Sequence, residues 1–436
     1  MRIAYLTGEY PRATDTFIQR EVATLREMGV EVHTFSVRRT DDRHMVGAEQ
    51  KQERDRTFYI LPPNPIHLLL AHLSLLLAFP KRYFKTIKLA FTTSQPGLRG
   101  GLYQFFYFLE AGILAQQIKN RQIEHLHNHI AEASGTVAML AAEMGGFTYS
   151  FTLHGPYIFL RPYQWRLDEK IKRSLFVCCI SYYARSQGMI FAPIEKWNRM
   201  HIIHCGIDPG LFDVVSHKES GKRLLFVGRL AEAKGLPILL ESLALLKQSH
   251  QNIVLTIVGD GPDRQKLKQL TVQLELTKNV NFVGYKSQAE VRKYFQQTDV
   301  FVMSSFAEGI PVVLMEAMAA GVPVVATQIA GISELVENGV NGYLVPPGEA
   351  NILANCIEKL LNNYLLRVTF STAGRAKVEK DFNIHYEVAR LYRLITSALK
   401  GHVEPIRPNF PEHQVSLSEC ETVSNLRLKI KIGDKG

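Results

Sequence analysis

The chain alternates short β-branched or apolar runs with longer stretches of helical period, and it does so twice. In the first half the runs are Arg2–Leu6, Glu31–Val37, Thr57–Leu61, His125–His127, Thr148–Leu153, Leu175–Ile180 and Met200–Ile203. In the second half they are Arg223–Val227, Ile253–Val258, Val280–Val283, Val300–Met303, Pro323–Thr327 and Gly342–Val345. Between runs, apolar residues recur on one helical face, as Phe17, Val22 and Leu25 do within Phe17–Met28. Short strands separated by helices predict parallel sheets covered on both sides. The alternation restarts after His217–Lys222, which reads as a hinge between two sheets. The fold class is therefore α/β, with two Rossmann-like domains facing each other, 1–205 and 206–384. Ligands of such sheets bind at the carboxyl ends of the strands, so the cleft between the domains is the expected site. The tail 401–436 carries Pro, Ser and Glu without apolar period and is expected to be disordered.

A length of 436 residues suits two or three domains, and 46% apolar with 21% charged residues excludes a disordered chain. The longest nearly uncharged apolar stretch, Ile66–Phe79, falls short of the roughly 20 residues of a bilayer span. The amino terminus lacks the apolar core of a signal peptide. Five cysteines, with Cys178 and Cys179 adjacent in an apolar run, suggest reduced thiols and a cytoplasmic protein. Charge changes this picture in one place. Of the formal +10, seven basic residues (Lys81, Arg82, Lys85, Lys88, Arg99, Lys119, Arg121) lie between Ile66 and Ile123 against the single acid Glu110. They are interleaved with Leu68–Leu70, Leu75–Phe79, Phe84, Phe91 and Tyr103–Phe108, a composition suited to anionic headgroups. Peripheral contact with the inner face of the cell membrane is the expectation; helices with incidentally basic outer faces are the alternative. No nucleic-acid-binding module accompanies the charge.

Four motifs carry candidate chemistry. The stretch Phe306–Gly321 (FAEGIPVVLMEAMAAG) follows a strand and predicts a helix with Pro311 at its first position and Gly321 just past its end. The amides of Gly309 and Ile310 then lie at a helix N-terminus, which favours an anion. Glu308 precedes that helix, and Glu316 sits inside it among apolar neighbours, where an unpaired carboxylate is costly. Second, strand Arg223–Val227 runs into Gly228, Arg229 and, five residues on, Lys234. Two cations on one short loop fit a diphosphate. Third, Gly259-Asp260-Gly261-Pro262 ends another strand, where glycines permit close backbone approach. Fourth, Val283 and Gly284 end the next and could offer backbone groups to a base.

In this order and spacing, the GR–x4–K–G loop, the GDGP turn and the E-x7-E element resemble the retaining glycosyltransferases of family 4, which have the GT-B fold. The likeness runs over most of residues 1–395, and the E-x7-E element with its upstream cations is its specific part. It implies that Arg229 and Lys234 neutralise the donor diphosphate, and that Glu308 holds the donor sugar. It further implies that Gly309 and Ile310 offer amides and that Glu316 accepts from ribose hydroxyls, with Gly228, Gly259, Asp260 and Val283 completing the donor site. His154, after strand Thr148–Leu153, would contact the donor sugar; a satisfied interior histidine is the competing reading. His127 and His129 are candidate acceptor contacts. Gly8–Pro11 and Asp15–Phe17 resemble the first loop of polysaccharide-assembling members, colanic-acid-type transferases among them. That makes Glu9, Asp15 and Thr16 acceptor-side candidates, although Asp15 stands where Glu is common. The family's last helix returns to the first domain, which here is 385–400.

No D-x-D triplet occurs, so charge stabilisation by Arg229, Lys234 and a helix dipole is expected to replace a divalent ion, with no cofactor. The expected activity is retaining transfer of a hexose from a UDP- or GDP-linked donor to a saccharide or lipid-linked acceptor, in exopolysaccharide or glycolipid synthesis. A GT-B sugar-nucleotide epimerase and a non-catalytic, membrane-associated assembly partner are the alternatives. A nicotinamide enzyme is weaker, because Gly259-x-Gly261 lacks a third glycine.

Overall fold

A computed structural model describes residues 1–45, 47–217 and 221–408. It contains two parallel sheets. The first is built from β1 (Arg2–Glu9), β2 (Glu31–Arg38), β3 (Phe58–Tyr59), β4 (His125–His129), β5 (Thr148–Leu153), β6 (Val177–Cys179) and β7 (Met200–Ile202), in the order 3-2-1-4-5-6-7. The second comprises β8 (Arg223–Val227), β9 (Val254–Val258), β10 (Val280–Gly284), β11 (Val300–Met303), β12 (Val324–Thr327) and β13 (Gly342–Val345), in the order 10-9-8-11-12-13. Each expected strand is present. The run Thr57–Leu61 shrinks to two residues, because it is an edge strand paired only at Phe35 and Ser36 of β2.

Apolar clusters cover both faces of each sheet. Leu126, Val137, Leu140 and Phe151 lie on one side of the first sheet. On its other side Tyr5, Ile18, Val22 and Leu25 meet Val388, Leu391, Leu394 and Ile395 of the last helix, Ile384–Leu399, which therefore returns to the first domain as expected.

Two segments, the expected hinge and the tail, differ from expectation. The loop His217–Lys222 is no hinge: Phe212 and Val215 are already buried in the second domain's core, and His217 hydrogen-bonds the carbonyl of Gly321. The chain crosses earlier, at Gly206–Ile207, and returns at Phe382–Ile384. These crossings touch: Ile207 N–H donates to Phe382 O (2.9 Å), Ile384 N–H donates to Ile207 O (2.8 Å), and a Cβ on Gly206 would lie 2.6 Å from Ile384 Cα. The start of the tail is also ordered. Ile202 N–H donates to Ile406 O at 2.6 Å, and Arg407 grips the buried Glu387 carboxylate through both oxygens, 2.7 Å each. The disorder expected for 409–436 lies outside the described residues.

Between β3 and β4 three helices, Pro65–Ala78, Pro80–Thr92 and Leu98–Asn120, pack inward through Leu75, Leu89, Phe108 and Leu114. Their outer faces stay apolar: Ile66, Leu69, Leu70, Leu73 and Leu77 are exposed along the first, Phe84 and Phe91 on the second, and Leu102, Phe105 and Phe106 on the third. No helix among the described residues is long and apolar enough to cross a membrane. Some of the expected basic face is engaged: Lys85 pairs with Glu143 (2.7 Å), and Lys119 and Arg121 lie over the rings of Phe79 and Phe35.

Candidate active site

The second domain supplies the cationic half of the cleft. After β8, Gly228 N–H donates to Val258 O, and the loop continues through exposed Arg229 to a 3-10 turn at Glu232–Lys234. Gly235 closes it at φ +58°, where a Cβ would meet the carbonyl of Ser304 at 2.1 Å. Only glycine fits that approach, and it delivers Lys234 to the segment after β11. Lys234 Nζ lies 2.6 Å from Glu308 Oε1, and Ser305 Oγ donates to the same oxygen at 2.7 Å. Arg229 has no ion-pair partner among the described residues.

The helix that follows is Val312–Ala319. Pro311 is its N-cap, with extended ψ of 121°, and not its first helical residue. Proline's ring also biases the preceding Ile310 away from helical backbone, which sets the helix start after Pro311. Gly321 ends the helix in the left-handed region, φ +71°, as expected. Glu316 is nearly buried and is not free. Arg20 of the first domain donates from Nη2 to its Oε1 at 2.5 Å and to Gln288 Oε1 at 2.9 Å. Arg20 Nη1 is buried without a partner.

The remaining donor-side candidates gather at strand ends. Gly259, φ +132°, lies so close to β8 that a Cβ would sit 1.9 Å from Gly228 O, and its N–H donates to Gly284 O. Asp260 accepts from Gly261 N–H and pairs with Arg264 at 2.6 Å, so its carboxylate holds the turn. Val283 is half-buried on edge strand β10, where the register slips before Gly284.

The first domain closes against these groups. A Cβ on Gly309 would meet His154 O at 2.2 Å, so the backbones of the two domains touch at the expected sugar position. Glu334 crosses as well, accepting from the amides of Tyr182 and Tyr183 at the start of helix Tyr182–Phe191, both 2.9 Å. Glu9 and Asp15 flank Arg12 at 3.9 and 3.8 Å in the loop after β1, and Thr16 opens the next helix. Burial pushes the Asp15 carboxyl up, with Arg12 and Thr14 opposing.

His127 and His129 are not acceptor contacts: both are 0% exposed. Strand residues two apart share a face, so His125, His127 and His129 form a row facing Thr148, Ser150 and Thr152 of β5. His127 bonds Ser150 and Thr152 (2.7 and 2.9 Å), and His129 bonds Glu21 and His154 (3.0 and 2.9 Å). Burial holds the His129 ring near a pKa of about 3, and burial together with neighbouring His129 drives His154 well below its usual value, so both rings are neutral. The donor atoms of Glu21, His127 and His129 converge within 4.8 Å, with these hydrogen bonds filling the convergence. Arg20, Glu21, Gln288, Ser305 and Glu334 were not among the expected residues. Arg20, Gln288 and Glu334 find their partners in the other domain, which leaves no local signal.

Comparison with known proteins completes the picture. Residues 211–377 match the family model of glycosyl transferases group 1. The chain is 37% identical over 211 residues to the amylovoran biosynthesis glycosyltransferase AmsK of Erwinia amylovora, covering 47% of this chain and 51% of that one. It thus spans about half of AmsK. It is 28% identical over 425 residues to the putative colanic acid biosynthesis glycosyltransferase WcaL of Salmonella typhimurium, 91% of this chain and 100% of that one. Among solved structures, the complex of Anabaena Alr3699/HepE with UDP-glucose superposes with a TM-score of 0.70 at 19% identity, over 91% of this chain and 100% of that one. The fold is GT-B, and residues 211–377 resemble the group 1 glycosyl transferases.

Proposed function

We propose that the chain transfers a hexose from a nucleoside-diphosphate sugar, with retention and without a metal, to a saccharide or lipid-linked acceptor in exopolysaccharide assembly. The observation that carries this is the convergence in one closed cleft of Lys234, Glu308 and the start of helix Val312–Ala319 against the carbonyl of His154. A diphosphate arriving between Arg229 and Lys234 replaces Glu308 as the lysine's counter-ion and frees that carboxylate for sugar hydroxyls. Glu316 accepts from the ribose in place of, or beside, Arg20. Gly309 and Ile310 offer N–H groups, and Glu9, Asp15 and Thr16 line the acceptor side. The acceptor hydroxyl forms the new bond to the anomeric carbon as the bond to the diphosphate breaks, on the same face. Its proton passes to the departing phosphate oxygen. Closure of the domains keeps water from that carbon. A UDP-linked donor is favoured by the fold shared with a UDP-glucose-binding protein, and a polysaccharide acceptor by the names of AmsK and WcaL.

Thermal stabilisation by UDP, GDP and ADP, on the wild type and on Glu316→Ala, tests the donor site. A ligand at about 100 times its Kd stabilises by about 2.7 kcal/mol. A shift with one nucleotide, lost in the variant, is expected; no shift with any of them overturns the donor site. Loss of turnover in EDTA overturns the metal-free mechanism. The exposed apolar face of the three helices between β3 and β4, flanked by Lys81 and Lys88, supports peripheral contact with an anionic membrane.

A further inference from the structure

His154 is the end of a buried chain of hydrogen bonds that starts at Tyr5 of β1. Tyr5 Oη–H donates to Glu21 Oε1 at 2.6 Å. The same oxygen lies 3.0 Å from His129 Nε2, His129 Nδ1 lies 2.9 Å from His154 Nε2, and His154 Nδ1 lies 3.7 Å from Cys205 Sγ. The rings of His129 and His154 stack with centroids 5.1 Å apart, and Phe17 packs on His154 at 4.7 Å.

The ends of this chain dictate where its protons sit. A neutral imidazole has one N–H and one acceptor nitrogen. Glu21 Oε1 already accepts from Tyr5, so its second bond is the one His129 Nε2–H donates. His129 Nδ1 must then accept, and the proton between the two rings belongs to His154 Nε2. That leaves His154 Nδ1 as an acceptor, beside a thiol that burial keeps protonated. Both ends agree on one tautomer. A ring lacking this anchor is free to present either nitrogen.

We infer that Glu21 and His129 are positioning residues that hold His154 as the Nε2–H tautomer, so that its Nδ1 accepts a hydrogen bond from a hydroxyl of the donor sugar. The thiol of Cys205, at 3.7 Å, is a weak occupant that a hydroxyl displaces. The inference rests on the donor-sugar role proposed for His154. It explains why a row of histidines is kept inside the sheet: His125 and His127 bond Thr148, Ser150 and Thr152, which fixes the strand pair on which His129 stands.

The proton arrangement is read directly, without a variant, by nitrogen-15 NMR of histidine-labelled wild-type protein, with His154→Ala used only to assign the signals. The expected spectrum has a pyrrole-type Nε2 and a pyridine-type Nδ1 for His154; the reverse pattern, or a mixture, overturns the inference. Kinetics give the second readout. His129→Phe keeps the aromatic packing but removes the acceptor. It is expected to lower kcat/KM for the donor by about 10- to 100-fold, the range for loss of an orienting partner, while the stabilisation by UDP is unchanged. His129→Gln can donate to Glu21 and accept from His154, and should restore most of the loss. Wild-type kcat/KM in His129→Phe overturns the inference. Failure of the transferase reading itself would show separately, as no turnover by the wild type with any donor, and the NMR measurement would still decide the tautomer.

Discussion

The apolar outer face between β3 and β4 gives a prediction with a magnitude. Leu69 and Leu77 on helix Pro65–Ala78 are 68% and 74% exposed, and they sit eight residues apart on the row that begins at Ile66. Full burial of a leucine side chain is worth about 2 kcal/mol. Scaled by these exposures, sinking both into the headgroup boundary contributes about 3 kcal/mol, or about 100-fold in partitioning. Leu69→Ser with Leu77→Ser should therefore weaken binding to vesicles of mixed anionic and zwitterionic lipid by about that factor in a co-sedimentation assay. Because both side chains face water in the folded protein, the thermal midpoint should not fall. Neutralising Lys81 and Lys88 to Gln should remove about 1 kcal/mol per residue, an effect that shrinks as salt is added. Equal binding by the leucine variant and the wild type would refute the reasoning.

Other perturbations read other parts of the structure. Gly235→Ala places a Cβ 2.1 Å from Ser304 O at positive φ, so it should cost about 1–3 kcal/mol in urea unfolding and weaken UDP binding through Lys234. Asp299 is 2% exposed; burial raises its pKa, but Arg223 and the amides of Lys222 and Arg223 outweigh burial and hold it below the usual value. Its stabilisation is therefore present above the unfolded pKa and lost as pH falls below about 4. Asp299→Asn should destabilise by about 2 kcal/mol at neutral pH and flatten the acid limb of the stability curve. Arg20→Met removes the pair to Glu316 that crosses the cleft, and should raise the radius of gyration of the unliganded protein in small-angle scattering. An unchanged radius would show that Glu334 and the Gly309–His154 contact suffice to hold the cleft closed.

The strands were legible because each is a short apolar run with a clear stop, and the donor motifs because glycine, lysine and glutamate are needed at fixed spacing within one turn. The histidines of β4 were misread for a physical reason. A polar residue at a strand end suggests exposure, but His125, His127 and His129 repeat every second residue, as do Thr148, Ser150 and Thr152. Two neighbouring strands with polar residues in the same phase can satisfy one another inside a sheet, and that signal was present. The partners of Glu316 had no such signal: Arg20 lies 296 residues away, and only closure of two domains brings it near. Pro311 shows the scale of local error, one residue, where proline suits either side of a helix start.

The double crossing at Ile207 and Asn383 has a mechanical consequence. A domain tethered by one strand of chain can swivel about every axis. Two strands bonded side by side act as a paired pivot, leaving rocking about their common line as the soft motion and making twist and slide stiff. His154 rides on one leaf of this pivot, and Lys234, Glu308 and Glu316 ride on the other. Each time the leaves swing together, the two sets of groups return to the same registration, without a search over orientations that would otherwise be repeated at every turnover.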